Sequence, residues 1–348
     1  MGEQSDRRVR GRDMLFQRAC GLDLGTDTIK IRDKNGKKFL YNRNVVALRA
    51  NGSVLAYGDA AYLVYEKQPA NIEVVWPMAN GVIANLTEMD LLLEYLIRRF
   101  GGASSLLIAV PTEITQVEKR AFFQVMKGQL GSGRIRLVDK GLSDAVSAAL
   151  PVLSGRGHML VNIGAGTTEI SVISSGKVIL GQTLKIGGRQ MDADIATMVR
   201  RKFNLAIGQK TAESLKNNLA FMVNGPRLEQ KVFGIHTLSG LPKSEVIPSL
   251  AVSVAIIDTV DSIVENINSI YNRLPPQIMK DISKEGIYLS GGVSMILNLP
   301  DYIRKEIGIP LHHIQDPKYS TIRGLIEIMN DKELKPVTYT LNDLAAMR

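Results

Sequence analysis

Two short stretches of the chain carry the residue types that phosphate chemistry uses. In CGLDLGTDTIKI, residues 20–31, apolar alternation runs to Asp23, breaks at a Gly/Thr turn and then resumes. In LVNIGAGTTEISVI, residues 160–173, the same grammar recurs, with Asn162 in the place of Asp23. Each reads as a β-hairpin. Gly25 lets the backbone approach a phosphate closely, Thr26 adds a hydroxyl, and Asp23 is placed to hold a magnesium ion through water. Gly164, Gly166, Thr167 and Thr168 offer the matching N–H and hydroxyl donors in the second turn. Alone, that turn also reads as an ordinary hairpin with glycine at positive φ. Repetition about 140 residues later argues for a duplicated domain, with the two turns facing each other across a cleft.

Further candidates surround this pair. Lys30 follows Asp23 by seven residues and reads either as a phosphate contact or as a strand lysine with its stem on apolar surface. Gly291 and Gly292 sit between a strand and a helix in GIYLSGGVSMI, where a ligand can lie against bare backbone at a helix N-terminus. Glu213 and Lys216 share one face of the helix predicted over KTAESLK. They read as ligand contacts or as a solvated pair.

Positioning these residues takes an α/β architecture in two related halves. SLLIAVP and RIRLVD read as buried strands. EITQVEKRAFFQVMKGQLG, GLSDAVSAALPVL, MDADIATMVRRKFN, KTAESLKNNLAFM and the long PSLAVSVAIIDTVDSIVENINSIYNRL have helical periodicity. The expected division is a first half over 20–150, with a small insertion at about 32–80, and a second half over 151–330, with an insertion at about 188–250. A basic arm over 1–19 precedes them and a tail over 331–348 follows.

Composition narrows the function. A chain of 348 residues is long for one core and suits two domains. No apolar run approaches the roughly 18 residues that span a bilayer. The N-terminus opens with arginines as a signal peptide does, but Gln17 and Arg18 interrupt its apolar part, so export is not expected. The single cysteine, Cys20, excludes an internal disulfide framework. The four histidines lack zinc spacing. A net charge of +9 favours a polyanionic neighbour. With only 5% aromatic residues and no recognised nucleic-acid motif, a nucleotide or an anionic membrane face fits that charge better than nucleic acid.

DLGTDTIKI, AVPTEITQVEKRA, GAGTTEISVIS, GQKTAESLK and GIYLSGGVSMI, in this order, resemble the bacterial actin family MreB/Mbl, within the actin, DnaK-type chaperone and sugar-kinase superfamily. The likeness runs from about residue 20 to 330. It implies an actin-like fold, with ribonuclease H-like duplicated domains forming four subdomains around a central nucleotide cleft, and ATP with Mg²⁺ as cofactors. It also implies self-assembly into filaments on the inner, anionic face of the cell membrane, where they organise cell-wall synthesis and rod shape, alone or with other MreB paralogues. Glu213 and Lys216 match family residues that contact ribose and adenine. Lys30 stands where the family is usually apolar and where eukaryotic actin has a phosphate-contacting lysine.

Three departures stand out against that pattern. Asn162 replaces an Asp, Lys140 replaces a Glu that precedes a Pro, and Arg189 stands where the family is usually acidic. The two lost acids help hold the Mg²⁺ shell, to which Asn162 can still bond through water, and position the attacking water. Lysine cannot accept a hydrogen bond from that water. The expectation is therefore ATP binding with slow or absent hydrolysis. Asp139 swinging in to replace the Glu is one alternative, and Lys140 pairing with Asp144 outside the cleft is another. Lys140 binding the γ-phosphate is a third. Met14, Leu15 and Phe16, flanked by arginines, form a weak membrane-dipping segment or a plain arm, and Phe100 is a second membrane candidate. Two other functions stay open: a small-molecule kinase on the same fold, and a regulator that caps or co-assembles with another MreB.

Overall fold

The duplication read from the two hairpins is the plan of the fold. The computed structural model describes residues 18–346 apart from 68, 128, 129 and 131. Its first half is built on strands β1 (Ala19–Leu24), β2 (Thr28–Asp33) and β3 (Phe39–Arg43), helix α1 (Leu86–Phe100), β4 (Ser105–Val110), α2 (Gln116–Lys127), β5 (Ile135–Asp139) and α3 (Lys140–Ser147). The second half holds β6 (His158–Ile163), β7 (Thr168–Ser174), β8 (Lys177–Leu184), α4 (Gly188–Phe203), α5 (Gln209–Leu219), α6 (Ser249–Tyr271), β9 (Ile287–Ser290) and β10 (Leu311–His313), and is followed by α7 (Ser320–Asn330).

The two sheets have the orders β5-β4-β1-β2-β3 and β8-β7-β6-β9-β10. In each, the leading strand pairs antiparallel with the next strand and parallel with a later one. The parallel strands are covered on both faces, which is why SLLIAV is a continuous apolar run rather than an alternating one. Helix α1 buries Met89, Leu92, Leu93, Leu96, Ile97 and Phe100, the stripe of a 3.6-residue period, and ends on Gly101 in the left-handed region. Phe100 is thus a core residue, 2% exposed, and not a membrane contact.

Each half carries a small three-stranded sheet. Val46–Arg49, Val54–Tyr57 and Ile72–Val75 form the first. The insertion therefore starts after Arg43 and not at 32, because β3 completes the main sheet. Leu205–Ala206, Glu229–His236 and Pro242–Pro248 form the second, beside α4 and α5 and within the expected 188–250.

The expected boundary at 330 does not follow the packing. Helix α7 lies across α3, β1 and β4, so the chain returns to the first half after completing the second. A Cβ on Gly324 of α7 would lie 1.8 Å from the Ser143 carbonyl oxygen, so only glycine permits this approach to α3. The tail continues along β5, where Leu137 and Tyr339 exchange two backbone hydrogen bonds of 2.8 and 2.9 Å.

Candidate functional site

The two turns close in the same way and meet. Gly25 N–H donates to Thr28 O at 2.9 Å, and Gly164 N–H donates to Thr167 O at 2.8 Å. A Cβ on Gly166 would come within 2.8 Å of the Thr26 side chain, so the turns pack face to face only because residue 166 has none. Between the halves lies a cavity of about 560 Å³. Asp23, Gly25, Thr26, Lys30, Lys140, Asn162, Gly164, Gly166, Thr167, Glu213, Lys216, Gly291 and Gly292 all line it. One part of its wall is apolar, formed by Leu219, Phe221, Leu228, Ile296 and Leu297. A cavity with glycine turns and ammonium groups on one part of its wall and aliphatic side chains on another suits a phosphate tail joined to a flat ring.

Two predicted residues lie elsewhere. Thr168 is fully buried, and its hydroxyl donates to Ile186 O at 2.9 Å. Asp139 accepts from the Tyr339 hydroxyl at 3.2 Å and lies 3.9 Å from Lys119 Nζ. Burial pushes its carboxyl up despite both partners, and it faces the tail, so it does not replace the lost Glu. The turn after Ser290 leads into a single 3-10 turn, Gly292–Met295, instead of the α-helix expected there. Met14, Leu15 and Phe16 fall outside the described residues.

Four charged side chains meet at the polar end. Asp23 and Lys30 are cross-strand partners, and Lys30 Nζ donates to Asp23 Oδ2 at 2.7 Å. Asn162 and Glu169 are the equivalent partners in the second hairpin. Glu169 escaped notice in the sequence, although it follows Asn162 by the same interval that separates Lys30 from Asp23. Lys140 opens α3 and lies 3.6 Å from Glu169 Oε1 and 3.9 Å from Asp23 Oδ1. Burial opposes charge on Lys140, but Glu169 and Asp23 outweigh it and raise the ammonium above the ordinary lysine value. Burial likewise opposes charge on Asp23, and Lys30 with Lys140 outweighs it, holding the carboxyl below its usual range. Burial pushes the Glu169 carboxyl up against the pull of Lys140.

Asp144, one alternative partner for Lys140, is taken by other groups. It is 0% exposed and accepts from Asn162 Nδ2 at 2.6 Å, Ser290 Oγ at 2.9 Å, Ser320 Oγ at 2.8 Å and Thr321 Oγ1 at 2.7 Å. This carboxylate ties α3 to β6, β9 and the start of α7, and so joins both halves. The amide at 162 is a donor to a buried acid, a role that an ionised Asp could not fill.

These residues do not fit a magnesium ion held by Asp23 and Asn162. Both oxygens of Asp23 face ammonium groups, and Asn162, whose NH₂ is committed to Asp144, would offer a metal-bound water only an uncharged carbonyl oxygen. A divalent ion about 5 Å from an ammonium is repelled by about 7 kcal/mol at an effective dielectric near 20. Among the described residues, no group of three or more His, Cys, Asp or Glu side chains could hold a metal.

The mouth of the cleft is bridged. Arg43 pairs with Asp27 and, at 3.1 Å, with Glu213, which also accepts from the Tyr62 hydroxyl at 2.8 Å. Burial would raise the Glu213 carboxyl, but Arg43 and Tyr62 outweigh it and lower it. Arg189 lies 3.7 Å from Asp27. Lys216 donates to Gly188 O at 2.9 Å and sits 2.7 Å from Asp192. Glu213 and Lys216 thus each have a partner outside their helix, unlike the solvated pair that their spacing also allowed. No helix among the described residues is long and apolar enough to cross a membrane.

Comparison with known proteins agrees with this geometry. The family model for MreB/Mbl protein matches residues 17–336. The cell shape-determining protein Mbl of Bacillus subtilis is 31% identical over 310 residues, covering 87% of this chain and 93% of that protein. The cell shape-determining protein MreB of Escherichia coli is 31% identical over 322 residues, covering 89% and 92%. Among solved structures, MreB 5 of Spiroplasma citri bound to AMPPNP superposes with a TM-score of 0.86 at 27% identity, covering 92% of this chain and 97% of that one. A subunit of the MamK double helical filament shares the fold, with a TM-score of 0.75 at 17% identity, covering 90% and 99%. The chain has the actin-like fold and belongs to the MreB/Mbl family.

Proposed function

We propose that this protein is a cytoskeletal subunit of the cell-shape machinery that binds ATP in its central cleft, assembles into filaments and hydrolyses the nucleotide slowly or not at all. The observation that carries this reading is the pair of facing glycine turns over a cavity of about 560 Å³, with the ammonium groups of Lys30 and Lys140 at its polar end. The names of the curated relatives, cell shape-determining proteins, support the cellular role. The AMPPNP bound to the Spiroplasma citri protein supports a nucleotide as the ligand. Filaments on the inner membrane face, working with the cell-wall synthesis machinery, complete the proposal.

Slow hydrolysis follows from the acceptors available. Phosphoryl transfer to water needs an oriented nucleophile. Lys140 can only donate, Glu169 and Asp23 are each paired with a lysine, and the Asn162 amide, whose NH₂ donates to Asp144, is not a base. None of these groups is left to take the water's proton.

Calorimetry with ATP, single-turnover hydrolysis and electron microscopy on the purified full chain test the proposal together. Filaments that retain uncleaved ATP are expected. Rapid hydrolysis, or phosphoryl transfer to a sugar, would overturn it. Filaments formed only after a second MreB protein is added would make the chain a co-assembling regulator.

A further inference from the structure

We infer that the cleft takes its nucleoside triphosphate without a divalent metal, with the ammonium groups of Lys30 and Lys140 neutralising the phosphates in the metal's place. This rests on the nucleotide-binding reading and goes beyond it. Relative to the acids that the MreB pattern carries at these positions, Asn162 adds one positive unit and Lys140 adds two. These two departures together add three units of positive charge. Asp144, fully buried behind Asn162 with four hydrogen bonds, still acts on Lys140 and Glu169 through its charge and offsets one of these units, which leaves two, the charge that one magnesium ion brings. Of the acids in and beside the cavity, Asp23 is paired with Lys30, Glu169 with Lys140, and Asp27 and Glu213 with Arg43.

Lys140 is suited to the task. Its contact with Glu169 is 3.6 Å long and that with Asp23 3.9 Å, so the ammonium is held mainly by charge and keeps N–H donors for phosphate oxygens. Asp23 Oδ1, buried without a hydrogen bond, and Glu169 Oε1 hold the ammonium from two sides. Lys30 anchors the opposite side of Asp23.

The test compares ATP affinity of the wild-type full chain in EDTA and in excess Mg²⁺, by calorimetry. The affinity in EDTA is expected to match or exceed that in Mg²⁺. Lys140→Gln should weaken ATP in EDTA by about ten-fold or more, the scale of a charge-assisted contact. Wild-type binding that Mg²⁺ tightens ten-fold or more would overturn the inference and leave nucleotide binding intact. Binding in EDTA that ignores Lys140→Gln would also overturn it. No ATP binding in either buffer would remove the nucleotide reading itself.

Discussion

Replacing Asn162 with Asp probes the buried network at its centre. The Asn162 amide reaches Asp144 Oδ2 at 2.6 Å, so an aspartate there brings two carboxylates into contact. Two unit charges about 3.5 Å apart repel by about 5 kcal/mol at an effective dielectric near 20. The fold can escape by protonating one of the pair, which also restores a donor. At about pH 7.5 this costs about 5 kcal/mol for a carboxyl of ordinary pKa, and at about pH 5 only about 1.5 kcal/mol. The sign follows from linkage: one carboxyl of the pair is raised in the folded state, so its stabilising contribution is complete at low pH and is lost as pH rises through the raised value.

Urea unfolding of Asn162→Asp should therefore show a deficit of about 5 kcal/mol against wild type near pH 7.5, shrinking to about 1.5 kcal/mol near pH 5. The swap Asn162→Asp with Asp144→Asn keeps one acid and one amide. It should recover at least about 2 kcal/mol of coupling at the higher pH. A variant as stable as wild type near pH 7.5, or an equal deficit at both pH values, would refute the arrangement of donor and acceptor described here.

Other perturbations give distinct readouts. Arg43→Ala removes the bridge to Glu213 across the cleft mouth, and stopped-flow release of a fluorescent ATP analogue should accelerate about ten-fold, allowing for the partial exposure of the pair. Gly324→Ala places a methyl 1.8 Å from the Ser143 carbonyl; thermal unfolding should show a loss of about 3 kcal/mol or more, despite the better helix propensity of alanine. Because Lys30 and Lys140 hold Asp23 below the ordinary carboxylate range, its contribution to stability is complete above that range and is lost as pH falls through the lowered value. Lys140→Met should move the acid unfolding midpoint, followed by circular dichroism, to higher pH.

Much of this fold is legible in the sequence because its signals are local. Each hairpin shows strand alternation on both sides of a glycine turn, and the long helices show apolar stripes of the right period. The duplicated order of the two sheets follows from recognising one motif twice. The polar network is less legible because its partners are distant in sequence. Asp144 takes donors from Ser290 and Thr321, 146 and 177 residues away, and Arg43 meets Glu213 across 170 residues. Helical spacing pairs Lys140 with Asp144 on paper. In the fold Asp144 turns to the buried side, where four donors occupy it, and Lys140 turns from the first turn of α3 toward Glu169. Only Glu169 carried a readable signal, through the common interval of the repeat.

The changes in the cleft form one coupled set, and this decides how its chemistry could be reversed. Lys140→Glu alone would place a third carboxylate beside Asp23 and Glu169, with Lys30 as the remaining cation among them. Adding Asn162→Asp would set a further acid against Asp144. Like charges at such distances drive protonation or local opening, not catalysis. Restoring the two acids therefore leaves hydrolysis low while Asp144 keeps its charge. A cleft that could run acid-assisted chemistry needs Asp144 neutralised in the same molecule. If the double variant with Asp144 intact hydrolyses ATP briskly in a single-turnover assay, positions 140 and 162 act independently of Asp144 and this coupling does not exist.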